Sequence, residues 1–305
     1  MNIAVIGSAG QLGSDLVQFI TQSKNDRVYP FTHQDLDCTN LSDVKNALQH
    51  LWPNLDAVIN CAAYVRVDDA EDNPRDAFLV NAIGAKNIAD ACNMLDIACV
   101  YISTDYVFDG TKTCAYIETD IPNPQSIYGK TKLQGEQAIE VSGCMYLIFR
   151  TSWVYAARGK NFVTTIIRLA KEHNEVKVVS DQIGAPTSAE LIADVTSLCL
   201  YLIFQDKVPK KNRAGIFHLT PTGKSSWYGF AKFIMSEMKK LGDSFHTNPE
   251  NIISINASEN HQQANRPANS LLDSQKLCKT FGIYLPSWQV HARRVVKKLY
   301  LQEAQ

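Results

Sequence analysis

The amino-acid sequence predicts an α/β protein with a doubly wound parallel sheet and a smaller, irregular C-terminal lobe. Short, continuous apolar runs alternate with longer stretches of helical periodicity, which is typical of parallel strands covered by helices on both faces. The last part of the chain is different, because it contains polar tracts such as NASENHQQANRPANS. We expect that part to form the lobe over the open end of the sheet.

The elements of the sheet are predicted mainly in the first half of the chain. The expected strands are Ile3 to Gly7, a short run at Val28, Asp56 to Ala63, Ala98 to Thr104 and Met145 to Tyr155. The expected helices are about 11–23, Leu41 to Leu51, Pro74 to Leu95 and Tyr128 to Ser142. Proline at the start of the third of these helices fits the first helical position. Beyond residue 150, we expect helices from about Ser188 and Ser226 and a strand from Gly215 to Pro221.

Composition and charge exclude several classes of protein. The 305 residues are 45% hydrophobic and carry a net charge of -1. They are therefore sufficient for a sizeable core but offer no basic surface for a nucleic acid or a membrane. Eight cysteines occur without a CxxC pair, which favours a reduced, cytoplasmic protein. The N-terminus lacks the features of a signal peptide, and no apolar run reaches the ~18 residues of a membrane span.

Three glycines follow the first predicted strand and open the first predicted helix. Gly7, Gly10 and Gly13 form the pattern G-x-x-G-x-x-G. Glycines permit a tight turn and a close approach of the backbone to a pyrophosphate, whose charge the helix N-terminus stabilises. A turn that merely needs glycines is the alternative, but the position between strand and helix favours dinucleotide binding. We therefore expect a Rossmann-like NAD(P)-binding domain over residues 1–150. A substrate-binding lobe is expected over about 151–305, interleaved with it because elements from about 172–205 return to the sheet.

The end of the second predicted strand bears on the choice of cofactor. An NAD-specific site usually places a carboxylate there for the ribose 2′-hydroxyl. Here the positions are occupied by Thr32, His33 and Gln34, and Asp35 and Asp37 follow slightly late. The missing carboxylate removes a repulsion against a 2′-phosphate, so the sequence favours NADPH over NADH. Asp37 and Cys38 are expected near the adenine.

A tyrosine and a lysine in IYGKTKLQGEQ are spaced to share one helix face. Tyr128 and Lys132 are four residues apart, and positions i and i+4 are neighbours on a helix. A nearby ammonium favours the phenolate and lowers the pKa of a phenol, which would suit Tyr128 to general acid/base work on an alcohol or ketone. An exposed tyrosine packed over a lysine stem is the alternative.

Polar residues end the fourth predicted strand, in YISTDYVF. Ser103, Thr104 and Asp105 lie at its carboxyl end, where open α/β sheets bind their ligands. A threonine hydroxyl there can hydrogen-bond the oxygen of a carbonyl that is being reduced, although it could also cap a turn. The glycine loop, this strand end and the Tyr–Lys pair support one another.

The chain resembles the dTDP-4-dehydrorhamnose reductases, a branch of the extended short-chain dehydrogenase/reductase superfamily. The resemblance covers nearly the whole chain. It rests on GSAGQLGSDL, VINCAAYVRVDDAE, NAIGAKNIADAC, YISTDYVFDG, IYGKTKLQGEQ, FRTSWVYAARGKNFVTTIIRLA, VVSDQIGAPTSAELIADV and NRPANSLLD. STDYVFDG and DQIGAPT are specific to this branch. The resemblance implies reduction of the C4 ketone of a dTDP-6-deoxysugar by NAD(P)H, in the synthesis of dTDP-L-rhamnose for surface polysaccharides.

The resemblance also implies roles for individual residues. Tyr128 would donate the proton, Lys132 would tune it and bind the nicotinamide ribose, and Thr104 would hydrogen-bond the substrate. The cofactor would be held by Gly10, Gln11 and Leu12 at the pyrophosphate and by Ala62, Ala63 and Tyr64 after the third strand. Asp105, Trp153 and Arg266 would contact the substrate, Arg266 through its diphosphate. For Trp153 a core position is the alternative, and for Arg266 a solvated loop.

Two further features of the resemblance remain open. Asn81 matches an active-site asparagine of the superfamily, although a helix-surface asparagine is the alternative. Some relatives bind Mg²⁺ at a dimer interface, and Asp15 and Glu190 fall at matching positions, but His291 and Ala292 provide no third carboxylate. We therefore expect no metal and leave a homodimer possible. TSAE, Thr187 to Glu190, instead fits a capping box.

Other functions remain compatible with the sequence. A 4,6-dehydratase is disfavoured because Tyr106, and not a second carboxylate, follows Asp105. An epimerase could use the same Tyr–Lys pair. The regulatory β subunit of methionine adenosyltransferase resembles the same family and acts by binding a partner, but the complete set of Thr104, Tyr128 and Lys132 favours retained chemistry.

Overall fold

A central parallel sheet organises the molecule. In a computed structural model that describes residues 1–243, 245, 247–260 and 262–303, twelve strands are formed. They are β1 (Asn2–Ile6), β2 (Arg27–Phe31), β3 (Ala57–Asn60), β4 (Ala98–Thr104), β5 (Tyr146–Thr151), β6 (Val154–Tyr155), β7 (Val176–Val179), β8 (Ile183–Gly184), β9 (Thr187–Ser188), β10 (Gly215–His218), β11 (Ser225–Ser226) and β12 (Ile252–Ile255). The central sheet has the order β10-β5-β4-β3-β1-β2, and its neighbouring strands are parallel.

The helices cover both faces of this sheet. They are α1 (Gln11–Thr21), α2 (Leu41–Gln49), α3 (Val67–Asp72), α4 (Pro74–Phe78), α5 (Ala85–Leu95), α6 (Ile127–Glu140), α7 (Phe162–Glu172), α8 (Ala189–Phe204), α9 (Trp227–Lys240), α10 (Gln275–Phe281) and α11 (Trp288–Glu303). One apolar core joins the sheet to α1 and α8, and a second core joins its other face to α2 and α5. Burial on both faces explains why the strands are continuously apolar.

The topology creates a crevice beside the first strand. The chain passes from β1 to β2 on one side and then crosses to β3 on the other side of β1. At such a change of direction, the connections after the two central strands diverge and leave a ligand crevice at their carboxyl ends. The glycine loop after β1 and the segment after β3 both border this crevice.

The predicted third helix is interrupted at its centre. It forms α4 and α5 with a π-helical turn between them at Leu79–Gly84. Such turns are frequent at functional sites. The predicted fifth strand is also divided, because Trp153 has a left-handed backbone with φ of 51° between β5 and β6.

The second half of the chain contributes to two different cores. Helices α7, α9 and α11 pack with β7 and β12 around a separate apolar core. Within the segment 172–205, β7 pairs with β12 and lies outside the central sheet, whereas α8 packs on α1 against that sheet. The strand that returns to the sheet is β10, beside β5. Among the residues described, no helix has the length and apolar character needed to cross a bilayer.

Candidate active site

The glycine loop is closely packed because its glycines have no side chains. Gly7 has φ of 79°, and a β-carbon there would lie 2.6 Å from the backbone nitrogen of Ala62. A β-carbon at Gly13 would lie 2.2 Å from the carbonyl oxygen of Gly7. Gly10 is the N-cap of α1 and supplies no side-chain cap, so the first N–H groups of the helix are left for another acceptor. This geometry suits a bound pyrophosphate.

The other predicted pyrophosphate residues lie in the first turn of α1. Leu12 is buried in the core, and the Gln11 side chain donates a hydrogen bond of 2.9 Å to the carbonyl oxygen of Lys160. The Gln11 contact ties the glycine loop to the segment that precedes α7. The first turn is uncharged, so the positive end of the helix dipole is not neutralised by its own side chains.

The acidic residues after β2 are engaged in local turns. The Asp35 carboxylate accepts hydrogen bonds from the backbone and hydroxyl of Thr32, at 2.8 and 2.7 Å. Asp37 makes the equivalent pair of contacts with Thr39, at 2.9 and 2.8 Å. Cys38 is buried, and its Sγ would lie 2.8 Å from a β-carbon at Gly84. Both carboxylates therefore already have donors within their own turns.

Asn81 braces the segment that follows β3. It is fully buried in the π-helical turn, which excludes a surface position. Its Oδ1 accepts from the backbone of Tyr64 at 2.8 Å, and its Nδ2 donates to Oγ1 of Thr131 at 3.1 Å. In the same segment, the Ala62 nitrogen donates to Asn60 at 3.0 Å. The backbone of the segment Ala62 to Tyr64 is thus connected through Asn81 to Thr131 of α6.

The Tyr128 side chain lies beside Thr104 at the carboxyl end of β4. Burial raises the pKa of Tyr128 well above its usual value, and the nearby Thr104 hydroxyl opposes this shift only in part. The direction is opposite to the one expected from the Tyr–Lys spacing. The physical reason is that the loss of hydration outweighs the nearby donors. The ring of Tyr128 also meets that of Tyr106 edge-on, with centroids 5.5 Å apart.

The Lys132 ammonium is directed at β4. It donates to the carbonyl oxygen of Ile102 at 2.7 Å and lies 3.8 Å from the centroid of the Tyr101 ring. Burial lowers the pKa of Lys132 to about 7, although Glu136 and Cys61 act in the opposite direction. Lys132 therefore titrates close to neutral pH.

A buried ion pair lies one helical turn beyond Lys132. The guanidinium of Arg150 binds the Glu136 carboxylate through Nη2 at 2.6 Å and through Nε at 3.0 Å. Ser103 donates a further hydrogen bond to the same carboxylate. Arg150 and Glu136 were not singled out in the sequence. A charge inside the apolar run LIFRTSW and an acid four residues after Lys132 are the signals that could have revealed them.

Asp105 is buried directly beside Thr104. Thr104 Oγ1 donates to Asp105 Oδ1 at 3.2 Å. Burial raises the pKa of Asp105 to about 6, against the opposing effects of the Ser270 and Thr104 hydroxyls. Its Oδ2 lies buried without a hydrogen-bond partner among the described residues. Asp105 can therefore hold a proton or accept a hydrogen bond next to the Thr104–Tyr128 pair.

Arg266 approaches the site from the C-terminal loop. Its guanidinium forms a 2.6 Å salt bridge with Asp68 and donates to the Tyr106 hydroxyl at 3.1 Å. Since Tyr106 contacts Tyr128, the guanidinium is one side chain away from the candidate acid. The arginine is thus paired, which excludes the solvated loop position.

Trp153 presents the flat surface of its indole after β5. It is half-buried, and its indole stacks on Trp227 with centroids 3.6 Å apart and an angle of 9°. Gly184 makes room for it, because a β-carbon there would lie 2.4 Å from the indole. The left-handed backbone of Trp153 is uncommon for a bulky residue, and such strain often marks functional sites. Trp227 was missed in the sequence because it opens an ordinary amphipathic helix.

The residues considered for a metal do not suit a divalent cation. Glu190 faces His291, Arg294 and Lys298, with separations of 3.8, 3.7 and 4.0 Å. Asp15 pairs with Arg158 at 3.3 Å. Arg294 and Lys298 at Glu190, and Arg158 at Asp15, already supply positive charge where a cation would bind. The expected capping box at Thr187 to Glu190 is wrong, because Ser188 caps α8 through the Leu191 nitrogen and Glu190 points to α11.

Comparison with known proteins agrees with this geometry. The family model described as RmlD substrate binding domain matches residues 1–301. The dTDP-4-dehydrorhamnose reductase of Escherichia coli (strain K12) is 37% identical over 306 residues, which cover 100% of each chain. The enzyme of the same name from Burkholderia thailandensis is 38% identical over 302 residues, which cover 99% of this chain and 100% of its own.

A solved structure shows the same fold. The dTDP-4-dehydrorhamnose reductase of Bacillus anthracis, determined in complex with NADP, superposes with a TM-score of 0.86 at 34% identity and covers 99% of each chain. The chain is thus similar to these reductases over its whole length, and it carries the glycine loop together with Thr104, Tyr128 and Lys132. The protein belongs to the dTDP-4-dehydrorhamnose reductase family.

Proposed function

We propose that the protein reduces the C4 ketone of dTDP-4-dehydro-L-rhamnose to dTDP-L-rhamnose. The observation that carries this proposal is the proximity of Thr104 and Tyr128 at the carboxyl end of β4, beside the crevice of the glycine loop. A nicotinamide cofactor bound there would supply the hydride. Tyr128 would donate the proton to the ketone oxygen, and Thr104 would hydrogen-bond that oxygen. The raised pKa of Tyr128 keeps the phenol protonated and able to donate.

The remaining site residues have roles in binding. Lys132 would hold the nicotinamide ribose, and Gly7, Gly10, Gln11, Leu12 and Gly13 would surround the pyrophosphate. Asp105 and Trp153 would contact the sugar, and Arg266 would exchange Asp68 for the substrate diphosphate. In this proposal residues 1–150 bind the cofactor and about 151–305 provide most of the substrate lobe.

We favour NADPH as the reductant. Asp35 and Asp37 each use one carboxylate oxygen in a local turn with Thr32 and Thr39, and no carboxylate stands at the end of β2 itself to bind a ribose 2′-hydroxyl. The similar Bacillus anthracis structure contains NADP. We also propose that the protein acts in the cytoplasm, where its eight free cysteines would stay reduced.

The test is oxidation of NADPH or NADH by the purified protein with dTDP-4-dehydro-L-rhamnose, with the product identified as dTDP-L-rhamnose. We expect turnover with both and a higher kcat/KM with NADPH. The Escherichia coli relative serves as the positive control. If that enzyme turns over while this protein oxidises neither nucleotide, the proposal fails and a regulatory binding role gains support. Cofactor retained tightly through purification, together with interconversion of sugar epimers, would instead favour an epimerase.

A further inference from the structure

The buried ion pair behind the active site has no role in the chemistry described above. Glu136 and Arg150 are almost fully buried, with exposed fractions of 0% and 2%. Burying two charges is expensive, and an apolar pair of similar volume is often no less stable. Stability alone therefore does not explain why Glu136 and Arg150 are charged.

The carboxylate of Glu136 lies on the same helix face as the Lys132 ammonium. The two residues are four positions apart on α6, and both side chains reach β4, Lys132 at Ile102 and Glu136 at Ser103. The other groups that face Lys132 are the Cys61 thiol after β3 and the Tyr101 phenol of β4. Both are uncharged near neutral pH. Glu136 is thus the one anion beside this ammonium among the described residues.

The position of Glu136 is fixed by donors on two strands. Arg150 on β5 binds both carboxylate oxygens, and Ser103 on β4 donates to Oε1. These four hydrogen bonds fix the position of the Glu136 carboxylate, one helical turn from Lys132. They also pair the Arg150 guanidinium with Glu136.

We propose that Glu136 is a positioning residue for the reduction: its carboxylate, held by Arg150 and Ser103, keeps Lys132 protonated and directed at the active-site end of β4. This inference rests on the proposed function. The need for such a group follows from the burial of Lys132, which favours the neutral amine. A neutral Lys132 would hold the cofactor ribose less tightly and would no longer favour a developing phenolate on Tyr128.

The test compares three variants with the wild type. Glu136→Gln keeps the shape and removes the charge. Because it leaves the Arg150 charge unpaired, the double variant Glu136→Gln/Arg150→Met removes both charges and keeps the volume. Glu140→Gln is the matched control, since it removes an acid from an exposed position one turn further along α6. We would measure kcat/KM and, independently of the sugar, the Kd of NADPH, across a pH range of about 5 to 9.

For the wild type we expect kcat/KM to fall and the Kd of NADPH to rise as the pH rises through about 7, the pKa of Lys132. We call this part of each pH profile the alkaline limb. In Glu136→Gln this limb should move to lower pH by about one unit or more, so that acidification restores activity. The double variant should recover thermal stability but keep the shifted limb, and Glu140→Gln should match the wild type.

The inference is overturned if Glu136→Gln folds and its limb stays at the wild-type pH, or if the double variant returns the limb to that pH. Either result would make the pair purely structural and would leave the reductase assignment intact. If the wild type proves inactive on the sugar, the proposed function fails, while the pH dependence of NADPH binding still decides the role of Glu136.

Discussion

At the scale of single residues, the half-buried Tyr128 remains a phenol at neutral pH. Its pKa is raised by loss of hydration, and only the nearby Thr104 hydroxyl acts in the other direction. A phenol in this state is suited to donate a proton to a ketone oxygen. The hydroxyl is therefore the group whose removal should affect the reaction most.

Tyr128→Phe should lower kcat by about 10²-fold or more, the scale expected for loss of a positioned proton donor. NADPH binding should be retained because the ring and Lys132 are unchanged. Steady-state kinetics and fluorescence titration would measure the two effects. Near-normal turnover in this variant would refute the assignment of Tyr128 as the acid.

Ionisation of the buried Asp105 carboxyl group, in the same site, lowers the stability of the folded protein. Burial raises its pKa from 3.8 to about 6. Since the folded-state pKa is above the unfolded one, folding favours the protonated form. The stability contributed by this group is present below about pH 4 and is lost as the pH rises through 6. The ionised carboxylate then costs up to about 3 kcal/mol.

Asp105→Asn should therefore raise the free energy of unfolding relative to the wild type at pH 8 and much less at pH 4. Urea unfolding at both pH values would measure the difference. Equal effects at the two pH values would show that ionisation of Asp105 carries no such cost. We expect the same variant to lose activity, because stability and function often conflict at a site of this kind.

At the scale of elements, α6 approaches its neighbours closely because it has glycine where it meets them. A β-carbon at Gly135 would lie 2.3 Å from the Asn81 carbonyl oxygen and 2.6 Å from the Tyr101 hydroxyl. These two atoms are themselves hydrogen-bonded at 2.9 Å. The position of α6, and with it the position of Tyr128 and Lys132, depends on this contact with the π-helical turn.

Gly135→Ala should displace α6 and lower both stability and kcat, although Gly135 touches no reacting atom. Overpacking of this kind costs about 1–3 kcal/mol. Gln137→Ala, on the exposed face of the same helix, is the control and should be nearly neutral. Thermal unfolding and kcat would be measured for both. A fully active Gly135→Ala would mean that α6 is not positioned by the π-helical turn.

At the scale of the whole molecule, the acidic side chains of α1 and α8 that were considered for a metal are paired with basic side chains of the same chain. Glu190 is surrounded by three basic side chains, and the proximity of His291 contributes most to holding its pKa below the usual value. Asp15 is balanced by Arg158. A divalent cation would have to displace these groups.

Chelation should consequently leave the protein unchanged. We expect the same molar mass by light scattering and the same kcat before and after treatment with EDTA, whichever oligomeric state is found. Addition of Mg²⁺ should not restore or increase either quantity. Dissociation of a dimer by EDTA, reversed by Mg²⁺, would contradict this prediction.

Local pattern determined much of the fold and part of the site. Strand and helix periodicity located the central elements, and Gly7, Gly10 and Gly13 identified the nucleotide loop, because these features depend on neighbours in the sequence. The spacing of Tyr128 and Lys132 likewise put both side chains against β4. The family resemblance came from the same local stretches.

Only the tertiary structure decided which distant groups share one environment. It put Arg150 of β5 against Glu136 of α6, turned Asn81 into the core, paired β7 with β12 and reversed the expected pKa shift of Tyr128. Burial and long-range electrostatics depend on distances between segments far apart in the chain. Residue spacing along the sequence does not contain those distances.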